Sequence, residues 1–139
     1  MTKTERELVQ AARDVMPRAY APYSKFHVGS ALLGRSGRVY LGFNIENVSY
    51  GLTICAERTA VFNALLAGEK HFQAIAVATE SPEPVHPCGA CRQVLSEFNE
   101  DLDVLVAHKG GRVKRYRLSK LLPAAFFSFP GPGKSHRRK

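Results

Sequence analysis

The residues of this chain best suited to chemistry are its three cysteines, which stand in two short stretches. One is Thr53-Ile54-Cys55-Ala56-Glu57-Arg58 and the other is Pro87-Cys88-Gly89-Ala90-Cys91-Arg92-Gln93. A Pro-Cys-x-x-Cys alone is only moderately specific. A third thiol followed two residues later by a carboxylate sharpens the pattern. Bound to Cys55, Cys88 and Cys91, a tetrahedral zinc ion keeps one open position, which is where a catalytic zinc holds its water. Glu57 is then a carboxylate that is not a ligand and could move protons to and from that water. Three thiolates and one Zn²⁺ leave a net negative charge, so a neighbouring cation would help restore the metal's Lewis acidity. Arg58 is the candidate, with Arg92 second. Taken singly, Glu57 would be a carboxylate balancing a helix dipole, and either arginine a surface charge.

These residues need elements that bring them together. Cys55 to Ala67 reads as a helix ended by Gly68, with Ala60, Val61, Ala64 and Leu65 as its buried stripe. Cys55 therefore lies at a helix N-terminus, where exposed backbone N–H groups favour a thiolate. Cys88 and Cys91 open a second helix that runs to Phe98, with Val94, Leu95 and Phe98 inward. Two helix starts would thus converge on one metal. Between them, Ala74 to Thr79 is almost wholly apolar, as in a strand covered on both faces.

Upstream, Thr4-Glu5-Arg6-Glu7 fits a capping box with Thr4 as N-cap. Leu8, Ala11, Ala12 and Val15 then mark an amphipathic helix interrupted near Pro17. Tyr20 to Phe26 is a turn-rich aromatic loop. It enters a hairpin of Val28–Gly34 and Arg38–Asn44 turned at Ser36-Gly37. Asn44 and Glu46, two apart at a strand end, can face the same way and clamp sugar hydroxyls. Their plainer reading is a polar strand end, and that of Phe26 is core packing. Downstream, Asp103–His108 and Arg112–Arg117 read as strands around a Lys109-Gly110-Gly111 turn, and Ser119–Leu122 as one helical turn before Pro123. Phe126, Phe127 and Phe129 are too many phenylalanines for a small domain to leave bare, so they are expected to pack on something such as a neighbouring subunit.

The bulk numbers suit one domain, residues 1–129, with a basic, disordered tail over 130–139. The chain has 139 residues, 45% hydrophobic and 23% charged, which excludes a disordered polyelectrolyte. Its formal charge is +8, but Lys134, Arg137, Arg138 and Lys139 supply four of those charges, so a nucleic-acid partner is not expected. No apolar run is long enough to span a membrane, and the N-terminus lacks the apolar core of a signal peptide. An odd cysteine count fits thiols in a reducing cytoplasm better than a disulfide framework. His27, His71, His86, His108 and His136 are scattered, and none is expected on the metal.

Five motifs, in order, resemble the cytidine deaminases. They are Pro22-Tyr23-Ser24-Lys25-Phe26, Asn44-Ile45-Glu46-Asn47, Cys55-Ala56-Glu57-Arg58, Pro87-Cys88-Gly89-Ala90-Cys91-Arg92-Gln93 and Leu121-Leu122-Pro123. A first ligand, x-Glu, then Pro-Cys-x-x-Cys is the known signature of zinc nucleobase deaminases. The resemblance covers about residues 5 to 127 and is to the small, three-cysteine, homotetrameric branch. It implies a three-layer α/β/α fold with a five-stranded mixed sheet. It implies one zinc per subunit on Cys55, Cys88 and Cys91, with Glu57 as proton shuttle. Phe26 would line the base pocket, the Ala56 backbone would read the pyrimidine edge, and Asn44 and Glu46 would hold the ribose 3′-hydroxyl. Arg58 would damp the thiolate charge, with Gln93 also behind the ligands. Tyr50 and Phe126, or Phe127 if the register slips by one, would reach a neighbour's site.

The activity implied is hydrolysis of cytidine and 2′-deoxycytidine to uridine and 2′-deoxyuridine, in cytoplasmic pyrimidine salvage. His27 and the basic tail depart from the family picture and receive no role. Two alternatives have their own signatures. One is a deaminase of another cytosine-containing nucleoside or of polynucleotide cytosine, and the Asn44/Glu46 pair argues against the polymer, which has the hydroxyl it would grip esterified. A structural zinc or nucleic-acid-binding module would need a fourth ligand, and His86 is the one convenient donor.

Overall fold

The computed structural model describes residues 1–127. Phe129 and the basic segment 130–139 lie outside the described residues. Helix α1 spans Lys3–Val15. It starts two residues earlier than the sequence pattern suggests. Thr2, not Thr4, is the N-cap, and Glu5 closes the capping box. Both threonines head a Thr-x-x-Glu run. The earlier start is favoured because it also sets Glu5 Oε2 2.6 Å from Arg115 on a neighbouring strand. The buried face of α1 is Leu8, Val9, Ala12 and Val15. Val9 replaces the expected Ala11, which is only half-buried.

Strands β1 (Val28–Gly34), β2 (Val39–Phe43), β3 (Phe72–Thr79), β4 (Asp103–His108) and β5 (Arg112–Arg117) form one sheet in the order β2-β1-β3-β4-β5. The β3–β4 pair is parallel and the other pairs are antiparallel, so the sheet is mixed as expected. Helices α2 (Ala56–Leu66) and α3 (Gly89–Phe98) pack on one face, α1 on the other, and α4 (Leu118–Leu121) follows β5. Side chains alternate along a strand, which is how β3 and β4 serve two cores at once. Ile75, Val77, Val104 and Val106 meet α2 and α3. Ala74, Ala76, Ala78, Leu105 and Ala107 meet α1. Alanines dominate the α1 side, where helix and sheet come close. A Cβ on Gly29 would stand 2.2 Å from the Ala12 carbonyl oxygen of α1.

The registers decide where a site can form. Val28 pairs with Thr79, and Gly29 pairs with both Phe43 and Ala78. The loop before β1, the exit of β2 and the exit of β3 therefore open at the same end of the sheet. The segments that lead to Cys55 and to Cys88 begin there.

Candidate metal centre and active site

Cys55 is the N-cap of α2 and Cys88 the N-cap of α3, and neither helix has a side-chain cap. Backbone N–H groups at both helix starts are therefore left without a side-chain acceptor. Cys91 is one turn into α3 and buried. Cys55 Sγ lies 3.7 Å from Cys88 Sγ, and Cys88 Sγ lies 3.5 Å from Cys91 Sγ. All three sulfurs fall within 4.8 Å of one another.

The first turn of α2 is locked from the sheet. Ser30 Oγ of β1 donates to the Ala56 carbonyl at 2.7 Å. Thr59 Oγ1 donates to the Phe43 carbonyl at the end of β2, 2.9 Å away. Gly42 lets the helix approach, because a Cβ there would stand 2.3 Å from the Ala56 carbonyl oxygen. Ser30, Gly42 and Thr59 were not singled out from sequence. The signal that could have found Gly42 is a glycine inside a strand, which marks close approach of another backbone.

Glu57 is buried. Burial raises its carboxyl to about 7, a hydrogen bond from its own backbone opposes the shift, and the Cys55 charge adds to it. Hydrogen bonding from Cys91 and from Arg58 pulls Cys55 down to about 5. The same pairing, together with burial, pushes Cys91 up. Arg58 Nη2 donates to Cys55 Sγ at 3.5 Å, and its Nε is buried without a hydrogen-bond partner. The sulfurs hold the guanidinium proton more firmly than usual. Three soft sulfur donors, one of them readily ionised and backed by a fixed cation, suit zinc. Among the described residues this is the one cluster able to hold a metal. His86 is not part of it. Its ring packs edge-on against Tyr116, 4.8 Å between centroids.

Residues 2–107 match the model of the cytidine and deoxycytidylate deaminase zinc-binding region. The chain belongs to this family. It is 46% identical over 121 residues to the cytidine deaminase of Sporosarcina psychrophila, which covers 86% of this chain and 89% of that one. The crystal structure of cytidine deaminase from Burkholderia pseudomallei superposes with a TM-score of 0.84 at 48% identity, covering 91% of this chain and all of the other. The Mycobacterium tuberculosis cytidine deaminase structure gives a TM-score of 0.76 at 41% identity, covering 88% and 96% of the two chains. The zinc that marks this deaminase family is therefore the metal for the three-cysteine cluster.

The remaining deaminase-motif residues lie around the same end of the sheet. Phe26 is 39% exposed, so it is not the core residue its plainer reading made it. Asn44 is buried and Glu46 half-buried, and both engage the 20–28 loop. Asn44 Nδ2 donates to the Phe26 carbonyl at 2.8 Å, and its Oδ1 accepts from the Val28 N–H at 2.9 Å. Tyr50 is 75% exposed in a short 3-10 turn, edge-on to Tyr23. The Gln93 amide exchanges two hydrogen bonds with the Phe126 backbone, at 2.8 and 3.2 Å. Arg92 donates to the carbonyls of Pro87 and Leu121. Both residues tie the cysteine turn to the C-terminal segment.

Proposed function

We propose that this chain deaminates free cytidine and 2′-deoxycytidine by hydrolysis, giving uridine or 2′-deoxyuridine and ammonia. The observation that carries the reading is three thiols at two helix starts beside one buried carboxylate whose proton affinity lies near neutrality. Bound by Cys55, Cys88 and Cys91, zinc supplies the Lewis acidity that makes water a nucleophile near neutral pH. Glu57 does the proton work. It takes one proton from the attacking water and places it on N3 of the cytosine ring, then takes the remaining proton of the added hydroxyl and delivers it to the amino group, which leaves as ammonia. A carboxyl at about 7 can accept and release protons with little cost in either direction. Arg58 sets the charge of the sulfur cluster through Cys55.

Phe26 is assigned to stack on the base and the Ala56 N–H, at an uncapped helix start, to read its edge. Asn44 and Glu46 are assigned to the ribose 3′-hydroxyl, which supports a free nucleoside because a polymer has that oxygen esterified. The assembly is proposed to be a homotetramer. Tyr50 and Phe126, the residues the resemblance sends to a neighbour's site, are exposed, and the outer face of α2 carries exposed Phe62, Leu65 and Leu66. The expected buried stripe of α2 included Leu65, but Ala56, Glu57, Ala60, Val61 and Ala64 fill that face instead. A pyrimidine-salvage role in the cytoplasm follows from the proposed reaction. No helix among the described residues is long and apolar enough to cross a membrane.

The test is the ultraviolet absorbance of cytidine beside a cytosine-bearing oligonucleotide, each with zinc-replete protein. Loss of the cytidine band alone supports the proposal. Deamination of the oligonucleotide with cytidine untouched contradicts it.

A further inference from the structure

The loop that carries Phe26 is held by a set of hydrogen bonds, and one hydroxyl lies at their centre. Ser24 Oγ donates to Glu46 Oε2 and accepts the Phe26 N–H at 3.0 Å. The other Glu46 oxygen accepts the N–H groups of Tyr23 and Ser24 at 2.9 and 3.1 Å. Between Ser24 and Phe26, Lys25 adopts a φ of +62°. This left-handed conformation is uncommon for a residue with a long side chain, and such residues persist where surrounding contacts over-determine them. Here the contacts are identifiable. The Lys25 N–H is tied to the Ala21 carbonyl at 3.1 Å, the Phe26 N–H to Ser24, and the Phe26 carbonyl to Asn44. Phe26 is 39% exposed, so these backbone ties share in fixing its place.

We propose that Ser24 is a positioning residue: its hydroxyl links the Glu46 carboxylate to the Phe26 backbone and so joins the sugar-binding and base-stacking halves of the pocket. The inference rests on the deaminase reading above, which gives Phe26 and Glu46 their substrate contacts. Ser24 itself touches neither zinc ligand nor reacting atom. Removing its hydroxyl leaves Glu46 with one donor fewer and the Phe26 N–H without its acceptor. The Lys25 kink is then held from one side, and Phe26 samples positions unsuited to stacking. The loss falls on substrate binding and leaves the chemical step in place.

Ser24→Ala, purified with zinc, is expected to raise the KM for cytidine about five- to twentyfold, the size of one or two modest hydrogen bonds. Its kcat should stay within about threefold of the parent, and its zinc content should not change. Ser24→Thr, which keeps the hydroxyl, should restore most of the KM. A loss of general integrity would instead lower kcat and zinc content together. The deciding comparison is a double-mutant cycle with Phe26→Ala. If Ser24 acts through Phe26, the KM penalty of Ser24→Ala largely disappears in the Phe26→Ala background. A penalty of full size in that background, or an unchanged KM in Ser24→Ala alone, overturns the proposal. Failure of the parent protein to consume cytidine would count against the deaminase reading itself, so the two failures are distinguishable.

Discussion

At the scale of residues, the metal centre is a problem in charge. Three sulfurs that would all be thiolates on a metal lie within 4.8 Å of one another, and the Arg58 guanidinium donates to one of them, Cys55. Arg58→Gln removes that charge while keeping a polar side chain. It is expected to weaken zinc retention or turnover by roughly 10- to 100-fold, the range seen when partners behind metal ligands are removed. Competition with a chelator, followed by rate measurement on the zinc-loaded variant, checks this. An unchanged affinity and rate would mean the guanidinium only fills space. The cysteines, Glu57 and Arg58 were legible in the sequence because metal ligation and proton transfer demand particular residue types. The second commitments of Asn44 and Glu46 were not legible. Their bonds to the 20–28 loop depend on how two segments some twenty residues apart meet in space.

At the scale of elements, helix starts and strand ends place every reacting group. The strand limits of Val28–Gly34, Asp103–His108 and Arg112–Arg117 were readable because a glycine-bearing turn, Ser36-Gly37 or Lys109-Gly110-Gly111, bounds each run at one end. The start of α1 and the inner face of α2 were less readable. Two overlapping capping boxes compete at α1, and α2 carries apolar residues on its outer side too, so periodicity picked out Ala60, Val61 and Ala64 but also took in the exposed Leu65. One element contact carries a pH signature. Glu69, just after α2, accepts from the Ser36 hydroxyl in the β1–β2 turn and from Tyr40 Oη on β2. The Ser36 bond first, and the Tyr40 bond after it, hold the Glu69 carboxyl below its ordinary value of 4.5. A depressed folded-state value stabilises the fold above the unfolded-state value, and that stabilisation is lost as acid takes the pH down through the folded one. Glu69→Gln is therefore expected to lower the melting temperature modestly at pH 7. The gap between parent and variant should narrow as the pH falls below about 4. A gap that is constant with pH would contradict an ionic role for Glu69.

At the scale of the whole molecule, the sheet order and the choice of faces follow from tertiary packing, which no local pattern encodes. Here the five motifs, taken together, gave a five-stranded mixed sheet between helices, but not its strand order. The described chain leaves one side of α2 uncovered, with Leu66 89% exposed and Phe62 beside it. Isolated apolar residues on a surface are ordinary, but Phe62, Leu65 and Leu66 stand together on one helix, and this is the face assigned to the proposed tetramer interface. Leu66→Asp is expected to shift the proposed tetramer toward smaller species in sedimentation and to lower cytidine turnover with it. A variant that stays tetrameric would remove this face from the interface. The central claim, however, concerns Glu57 and the thiol cluster. The measurement that tests it most directly is the rate of cytidine deamination by zinc-loaded Glu57→Ala beside the parent. The account predicts full zinc content with a rate lower by at least about 10²- to 10⁴-fold, the scale of a lost general acid–base group. A zinc-loaded variant with a near-parental rate would contradict it.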